Sequence, residues 1–421
     1  MNVKSNTAIL NYSDSIGGAA RAAVRLQECI KLVGVNSVLL VSKSSNKIKN
    51  TEAYPKTPFL KIVDFMRLKI GRLVLRLFSP GNDYPHSLAL LPSFWPFLLR
   101  QRKFDLVHLT WINSEMMSIG DIRRIKGAVI WTLQDMWAFC GAEHISHSSR
   151  WIEGYLASNR PVDETGIDIN RWVWKRKKRN WSTPKHIVAP SNWMAECVKK
   201  SALLKDWPVT VIPNPINTDE WFPEDRAKSR SDLGLPLKSQ LILFGCYGGV
   251  GVSNKGFDLL REALKYLEVS EVELVVLGDS GLDKSLELGF PIHFLGDVRD
   301  DLTLRLAYSA CDVIAIPSRI DNLPNMGLEA HACGAPVVAF NVSGMPDIVS
   351  HLKTGYLATP FDTLDFSRGL SWVLRRCQSD NELGRQAREK AIDSWSYPVV
   401  GEQYKNIYQQ VIAKEGNNER C

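Results

Sequence analysis

Apolar residues in this chain fall into two spacings, short unbroken runs and longer stretches with a helical period, which alternate along its length. Runs at Thr7–Asn11, Ser37–Ser42, Asp105–Leu109, Ala128–Leu133, Ile187–Pro190 and Val209–Ile212 predict strands in the first half. Leu241–Gly245, Glu271–Leu277, Ile314–Ile316 and Pro336–Phe340 predict strands in the second. With so few polar interruptions they read as parallel strands buried on both faces. Ala19–Leu32, a segment from Lys255-Gly256 through Leu267, Leu302–Ala310 and a stretch opening near Asn325 or Met326 read as helices. The segment Glu402–Val411 is a further helix, with Tyr404, Ile407, Tyr408 and Val411 on one side. Strand and helix in alternation across 421 residues place the chain in the α/β class, with room for two doubly wound, Rossmann-like domains. Pro213-Asn214-Pro215-Ile216 is the hinge out of the first, so the domains are 1–215 and 216–397.

Two stretches break the alternation. Phe59–Phe78 places Lys61, Asp64, Lys69, Arg72 and Arg76 on one helical face, with Arg67 outside it. Leu60, Ile62, Val63, Phe65, Met66, Leu73, Val74 and Leu77 supply a broad apolar surface. Such a helix lies on an anionic bilayer or covers the domain's own sheet, and Phe94–Arg100 forms a second patch of the same kind. Arg171–Trp181 interleaves three Trp with six basic residues. That suits single-stranded nucleic acid, a membrane interface, or a solvated helix with its Trp packed inward. No nucleic-acid-binding signature accompanies it.

Composition changes the picture in three respects. A net charge of +7 favours an anionic partner. Eight Cys, at 29, 140, 197, 246, 311, 333, 377 and 421, include no CxxC pair, which points to reduced thiols in the cytoplasm. No secretory leader is expected at the polar N-terminus, and no run reaches the roughly 18 apolar residues of a membrane span. Neither HExxH nor CxxC occurs, so no metal site is expected.

Candidate chemistry gathers where predicted strands end. Gly17 and Gly18 separate the first strand from its helix, where backbone amides can meet an anion or simply make a tight turn. Lys255 closes a Gly- and Ser-containing loop after Gly245, a cation at a helix start that suits a diphosphate. Asp321 precedes Glu329 by eight residues, with Asn322-Leu323-Pro324-Asn325 as a turn between them. Glu329 is expected on the first helical turn, where it meets a ligand or merely complements the helix dipole. His108, Gln134, Asp135, Glu143 and His144 lie at or beyond the ends of two first-half strands.

The segment DNLPNMGLEAHACGAPVVAF resembles the acidic signature of retaining glycosyltransferases of family 4, in the branch that builds bacterial surface polysaccharide. Asp321 stands where the family has Glu. GGAARAA after the first strand, the IPN hinge, Lys255-Gly256 and Ser343-Gly344-Met345-Pro346-Asp347 resemble other family elements. The resemblance implies the GT-B fold, with two domains facing a cleft and a last helix, 398–421, returning to the first. It implies that Glu329 holds the ribose hydroxyls of a UDP- or GDP-linked sugar, Asp321 the hexose, and Lys255 the diphosphate. Gly17, Gly18, Gly245, Asn322, Leu323, Pro324, Asn325 and Gly344 would complete the donor site. His108, Gln134, Asp135, Glu143 and His144 would border the acceptor, with Gln134 where the branch carries His. The implied reaction is retaining, metal-independent and cofactor-free. Its acceptor is a lipid-linked glycan of an O-antigen or similar polymer, at the inner face of the membrane, with no nucleic acid involved. A non-catalytic sugar-nucleotide-binding partner and a basic membrane or nucleic-acid adaptor remain as other readings.

Overall fold

The computed structural model describes residues 6–78, 85–162, 164, 166–245, 253–278 and 289–418. Of the expected loop Cys246–Asn254, residues 246–252 therefore lie outside the described residues. Two compact units divide the chain, one of 1–215 with 400–421 and the other of 216–399.

The first unit is built on a sheet in the order β3-β2-β1-β4-β5-β6-β7. Its strands are β1 (Asn6–Ser13), β2 (Asn36–Lys43), β3 (Thr51–Ala53), β4 (Leu106–Leu109), β5 (Ala128–Thr132), β6 (His186–Ala189) and β7 (Val209–Val211), all parallel. The order reverses between β1 and β4, so the loops leaving those two strands diverge and open a crevice at their carboxyl ends. The helix Gly17–Leu32 follows β1, with Gly17 at a φ of 79°. The final helix, Tyr397–Asn418, extends beyond the periodic segment Glu402–Val411 and begins one residue before the last helix implied by the resemblance, 398–421. From Val400 onward it belongs to this unit and buries Tyr404 and Tyr408.

The second unit repeats the plan with β10-β9-β8-β11-β12-β13. Its strands are β8 (Gln240–Gly245), β9 (Val272–Leu277), β10 (Ile292–Gly296), β11 (Val313–Ile316), β12 (Val337–Phe340) and β13 (Gly355–Ala358), again parallel. Side chains alternate between two cores. Leu241, Leu243, Ile314, Ile316, Val337 and Ala339 share one with Leu328 and Tyr308. Ile242, Phe244, Val313, Ala315, Val338 and Phe340 share the other with Leu260 and Leu370. Burial on both faces explains the unbroken apolar runs. The helices Asp301–Ala310 and Asn325–Ala332 thus lie against the same face of the sheet. The helix expected from Lys255 to Leu267 is one tight turn, Ser253–Lys255, and a helix Phe257–Leu264. Gly256 between them has a φ of 69°, which an L side chain rarely adopts.

Candidate functional site

The switch point of the second sheet lies between β8 and β11, and the loops leaving these two strands are laced together. The Arg319 amide donates to the Asn254 carbonyl at 2.8 Å. The Arg319 guanidinium grips Asp258 with bonds of 2.8 and 2.5 Å. That grip, the largest influence on it, holds the Asp258 carboxyl below its usual range. Gly256 sits so near the end of β11 that a Cβ there would lie 1.9 Å from the Pro317 carbonyl oxygen. Lys255 Nζ then meets Asp321 Oδ2 at 2.7 Å. The structure thus joins two residues that are 66 positions apart in sequence, and both keep contact with solvent, at 37% and 19% exposure.

Beyond Asp321, Asn322 and Leu323 are buried, and Pro324 precedes the helix Asn325–Ala332. Helix entry directly after Pro324 puts Glu329 in the second turn, not the first, and the first turn carries no acidic residue. A dipole role for Glu329 therefore falls away, because that effect is confined to the terminal turn. Glu329 is buried, and its Oε2 accepts a hydrogen bond from the Tyr308 hydroxyl at 2.9 Å. Tyr308 stands on the neighbouring helix Asp301–Ala310 and has no sequence motif around it. Its only signal is a hydroxyl at an apolar position of a helix that packs beside the acidic one. Gly344 holds the site from the other side. Its amide donates to the Asp321 carbonyl at 3.0 Å, and a Cβ would lie 1.4 Å from the Asn322 carbonyl oxygen. Gly245 ends β8 and faces Met326.

In the first unit the expected residues separate into two groups. Asp135 follows β5 and is the centre of one. Its Oδ2 accepts from the Trp111 indole at 2.7 Å and lies 2.6 Å from His144 Nδ1, and Oδ1 accepts from the Trp137 amide at 3.0 Å. Burial, the largest single influence, pushes the carboxyl up, but the His144 ring and these bonds outweigh it and hold it below its usual range. An ionised carboxylate accepts only, so Nδ1 carries the ring proton. His144 Nε2 lies 2.8 Å from the Ser87 hydroxyl. Asp135 retains 21% exposure. Gln134 pairs its amide reciprocally with Asn214, at 3.0 and 3.2 Å.

The second group is sealed. His108, expected beside an acceptor, is wholly buried between Tyr408 Oη and Thr132 Oγ1, at 2.6 and 2.7 Å. Burial lowers its pKa to about 3, so the ring is a neutral brace for the last helix and out of reach of an acceptor. Glu143 is also buried. The Tyr155 hydroxyl donates to its Oε1, and burial raises the acid above its usual range. It too braces the loop. Lys177 lies fully buried with Nζ on the carbonyls of Trp137, Cys140 and Gly141. Its pKa is lowered to about 7 by burial. Lys177 belongs to the helix Ile169–Asn180, where Trp174 is also buried, as is Trp181 directly after its last residue. Arg176 is spent on the carbonyls of Leu88, Ala89 and Leu90. The Trp-rich basic stretch is therefore mainly an internal fastening, not an aromatic surface for nucleic acid. Among the described residues, no three His, Cys, Asp or Glu converge to hold a metal.

Residues 16–220 match the family model for Glycosyltransferase Family 4, and residues 242–376 match that for Glycosyl transferases group 1. A D-inositol 3-phosphate glycosyltransferase of Saccharomonospora viridis is 30% identical over 230 residues, 48% of this chain and 50% of the relative. The chain spans about half the length of the curated relatives it matches. Among solved structures, Anabaena HepE in complex with UDP and glucose superposes with a TM-score of 0.64 at 16% identity, over 96% of this chain and 100% of that one. WaaG, a glycosyltransferase involved in lipopolysaccharide biosynthesis, gives 0.62 at 16% identity, over 96% and 99%. The two parallel-sheet, Rossmann-like domains are those of the GT-B fold. Along this chain the match to the Glycosyltransferase Family 4 model is followed by the match to the Glycosyl transferases group 1 model.

Proposed function

We propose that the chain is a retaining, metal-independent glycosyltransferase. It moves a hexose from a UDP- or GDP-linked donor to a lipid-linked glycan in bacterial surface-polysaccharide synthesis, as a peripheral protein at the inner face of the membrane. The observation that carries this reading is the Lys255–Asp321 pair at the switch point of the second sheet, on the loop that leads into the Glu329 helix. HepE, whose structure holds UDP and glucose, and WaaG, named for lipopolysaccharide biosynthesis, support the donor and the product class.

In this reading Glu329 accepts from the ribose hydroxyls and Tyr308 holds its carboxylate in place. Lys255 exchanges Asp321 for the diphosphate as negative charge builds on the leaving group, and Asp321 turns to the hexose. Asn322 to Asn325 and Gly344 shape the donor pocket. Gly17 and Gly18 open a helix that has no side-chain cap and no acid in its first turn, so its amides suit phosphate oxygens. On the acceptor side, Asp135, braced by His144, and Gln134 are the residues that bind sugar hydroxyls.

Calorimetry with UDP and GDP tests the assignment. Glu329→Ala removes hydrogen bonds to a charged group worth about 1.5–3 kcal/mol, so nucleotide affinity falls roughly 10- to 150-fold. The variant also removes the buried bond between the Tyr308 hydroxyl and Glu329, so a melting curve shows a loss of about 1–3 kcal/mol. Unchanged nucleotide affinity in a folded variant would end the reading.

A further inference from the structure

The helix Pro58–Phe78 shows the solvent its apolar side. At helical spacing, Phe59, Ile62, Met66, Ile70, Leu73 and Leu77 form one stripe, and all six are exposed, Phe59 at 70% and Leu77 at 75%. The side turned to the protein is fixed by polar and small residues. Arg67 is buried, bonded to Asp64 at 2.7 Å and to the Leu91 carbonyl at 2.7 Å. Gly71 faces Glu115 so closely that a Cβ would lie 2.6 Å from its Cγ. Glu115 in turn accepts from the Ala89 and Leu90 amides, each at 2.8 Å. A surface helix of a globular protein ordinarily turns its apolar stripe to the core. Here half-buried Val63, Leu68 and Val74 face inward and the longer stripe does not. An apolar stripe of this length, left on the surface, marks an interaction site.

Charge selects the occupant. Lys61, Lys69, Arg72 and Arg76 are all exposed along one flank of the stripe. Asp64 is the helix's one acidic residue, and it is turned inward onto Arg67. A stripe of large aliphatic and aromatic side chains bordered by four cations fits an anionic bilayer surface, apolar groups entering the acyl boundary and cations meeting the headgroups. No helix among the described residues is long and apolar enough to cross a membrane, so this is attachment to one leaflet.

We propose that the Pro58–Phe78 helix is the docking surface by which this chain lies on an anionic lipid leaflet. The proposal deepens the peripheral placement given above, but it stands on the helix alone and holds whether or not the transfer reaction does.

Co-sedimentation with vesicles of phosphatidylcholine, alone or mixed with phosphatidylglycerol, tests it. The protein is expected to pellet with the mixed vesicles and to release as salt rises. Arg72→Glu with Arg76→Glu lowers the bound fraction roughly tenfold or more. Leu73→Ser with Leu77→Ser does the same, and both variants melt as the parent does because these side chains touch solvent. Equal binding to neutral and mixed vesicles overturns the proposal. So does unchanged binding by the variants, or a dimer in solution that Leu73→Ser with Leu77→Ser converts to monomer. Calorimetry with UDP on the same variants separates this result from the fate of the donor site, since none of these residues belongs to it.

Discussion

Two lysines at the ends of two equivalent sheets show how differently the units use the same chemistry. Lys255, beyond β8, is partly exposed and paired with one carboxylate on a neighbouring loop. Lys177 is wholly buried, holding three carbonyls of the loop that follows β5. The first is available to a ligand at little cost to the fold, because a half-exposed ion pair contributes about 0–1 kcal/mol. The second is structural, because its loss leaves buried acceptors unpaired. A cation near a strand end is thus evidence for a site only when its partner can be exchanged.

Replacing each lysine by alanine gives the largest contrast. Lys177→Ala is expected to lower stability in urea denaturation by about 1–3 kcal/mol for each buried carbonyl that loses its donor. Lys255→Ala is expected to shift it by less than about 1 kcal/mol while weakening diphosphate binding. A Lys177→Ala protein that unfolds at the parent's midpoint would erase the distinction.

Acid comes next, and it strikes both units. Burial lowers His108 in the first unit and His331 in the second to about 3. An unfolded histidine titrates near 6.5, so between those values the unfolded chain binds the additional protons. Stability present above pH 6.5 is therefore lost as pH falls toward 3, by a few kcal/mol for each ring. A denaturation series across that range checks the slope. In His108→Gln the slope is shallower, and a slope equal to the parent's would mean the ring is not held neutral.

A smaller effect is expected at Tyr308. Tyr308→Phe removes one hydrogen bond to Glu329, so affinity for UDP falls about 2- to 12-fold. The preference for UDP over its 2′-deoxy analogue narrows with it. Equal losses for both nucleotides would mean that Tyr308 acts only on packing. Smallest of all is Gln134→His, which exchanges one hydrogen-bonding side chain for another beside Asn214. Turnover is expected to change by less than about tenfold, under 1.4 kcal/mol of barrier, in a donor-consumption assay.

The interior of each sheet was legible in the sequence and its margins were not. Val313–Ile316 and Val337–Phe340 lie between two cores and read as strands from their apolar runs. β3, β10 and β13 were not found, and all three are edge strands. Their residues are largely half-exposed, so they carry little of the pattern that marks a buried strand. The site divides the same way. Lys255, Asp321 and Glu329 were singled out by their order along the chain and by the family resemblance, and the structure brings the first two into contact. Tyr308 escaped notice because its partner lies on another helix. His108 was misread because its brace, Tyr408, comes 300 positions later, and no local pattern links the two. Partners are a property of the folded surroundings, so Glu143 and His144, equally buried, looked alike until Tyr155 on one and Asp135 on the other separated them.

That long-range brace also bears on how the protein is made. The segment 216–399 is continuous and can close its cores as soon as it has been synthesised. The first unit cannot, since His108 and Thr132 wait for Tyr408 and Tyr404, which are synthesised 300 and 272 positions later. At about 5–20 residues per second, that wait lasts roughly 15–60 s on the ribosome. The unit translated first is thus the unit completed last, and a message truncated before Tyr404 would yield a first sheet with its polar interior uncovered.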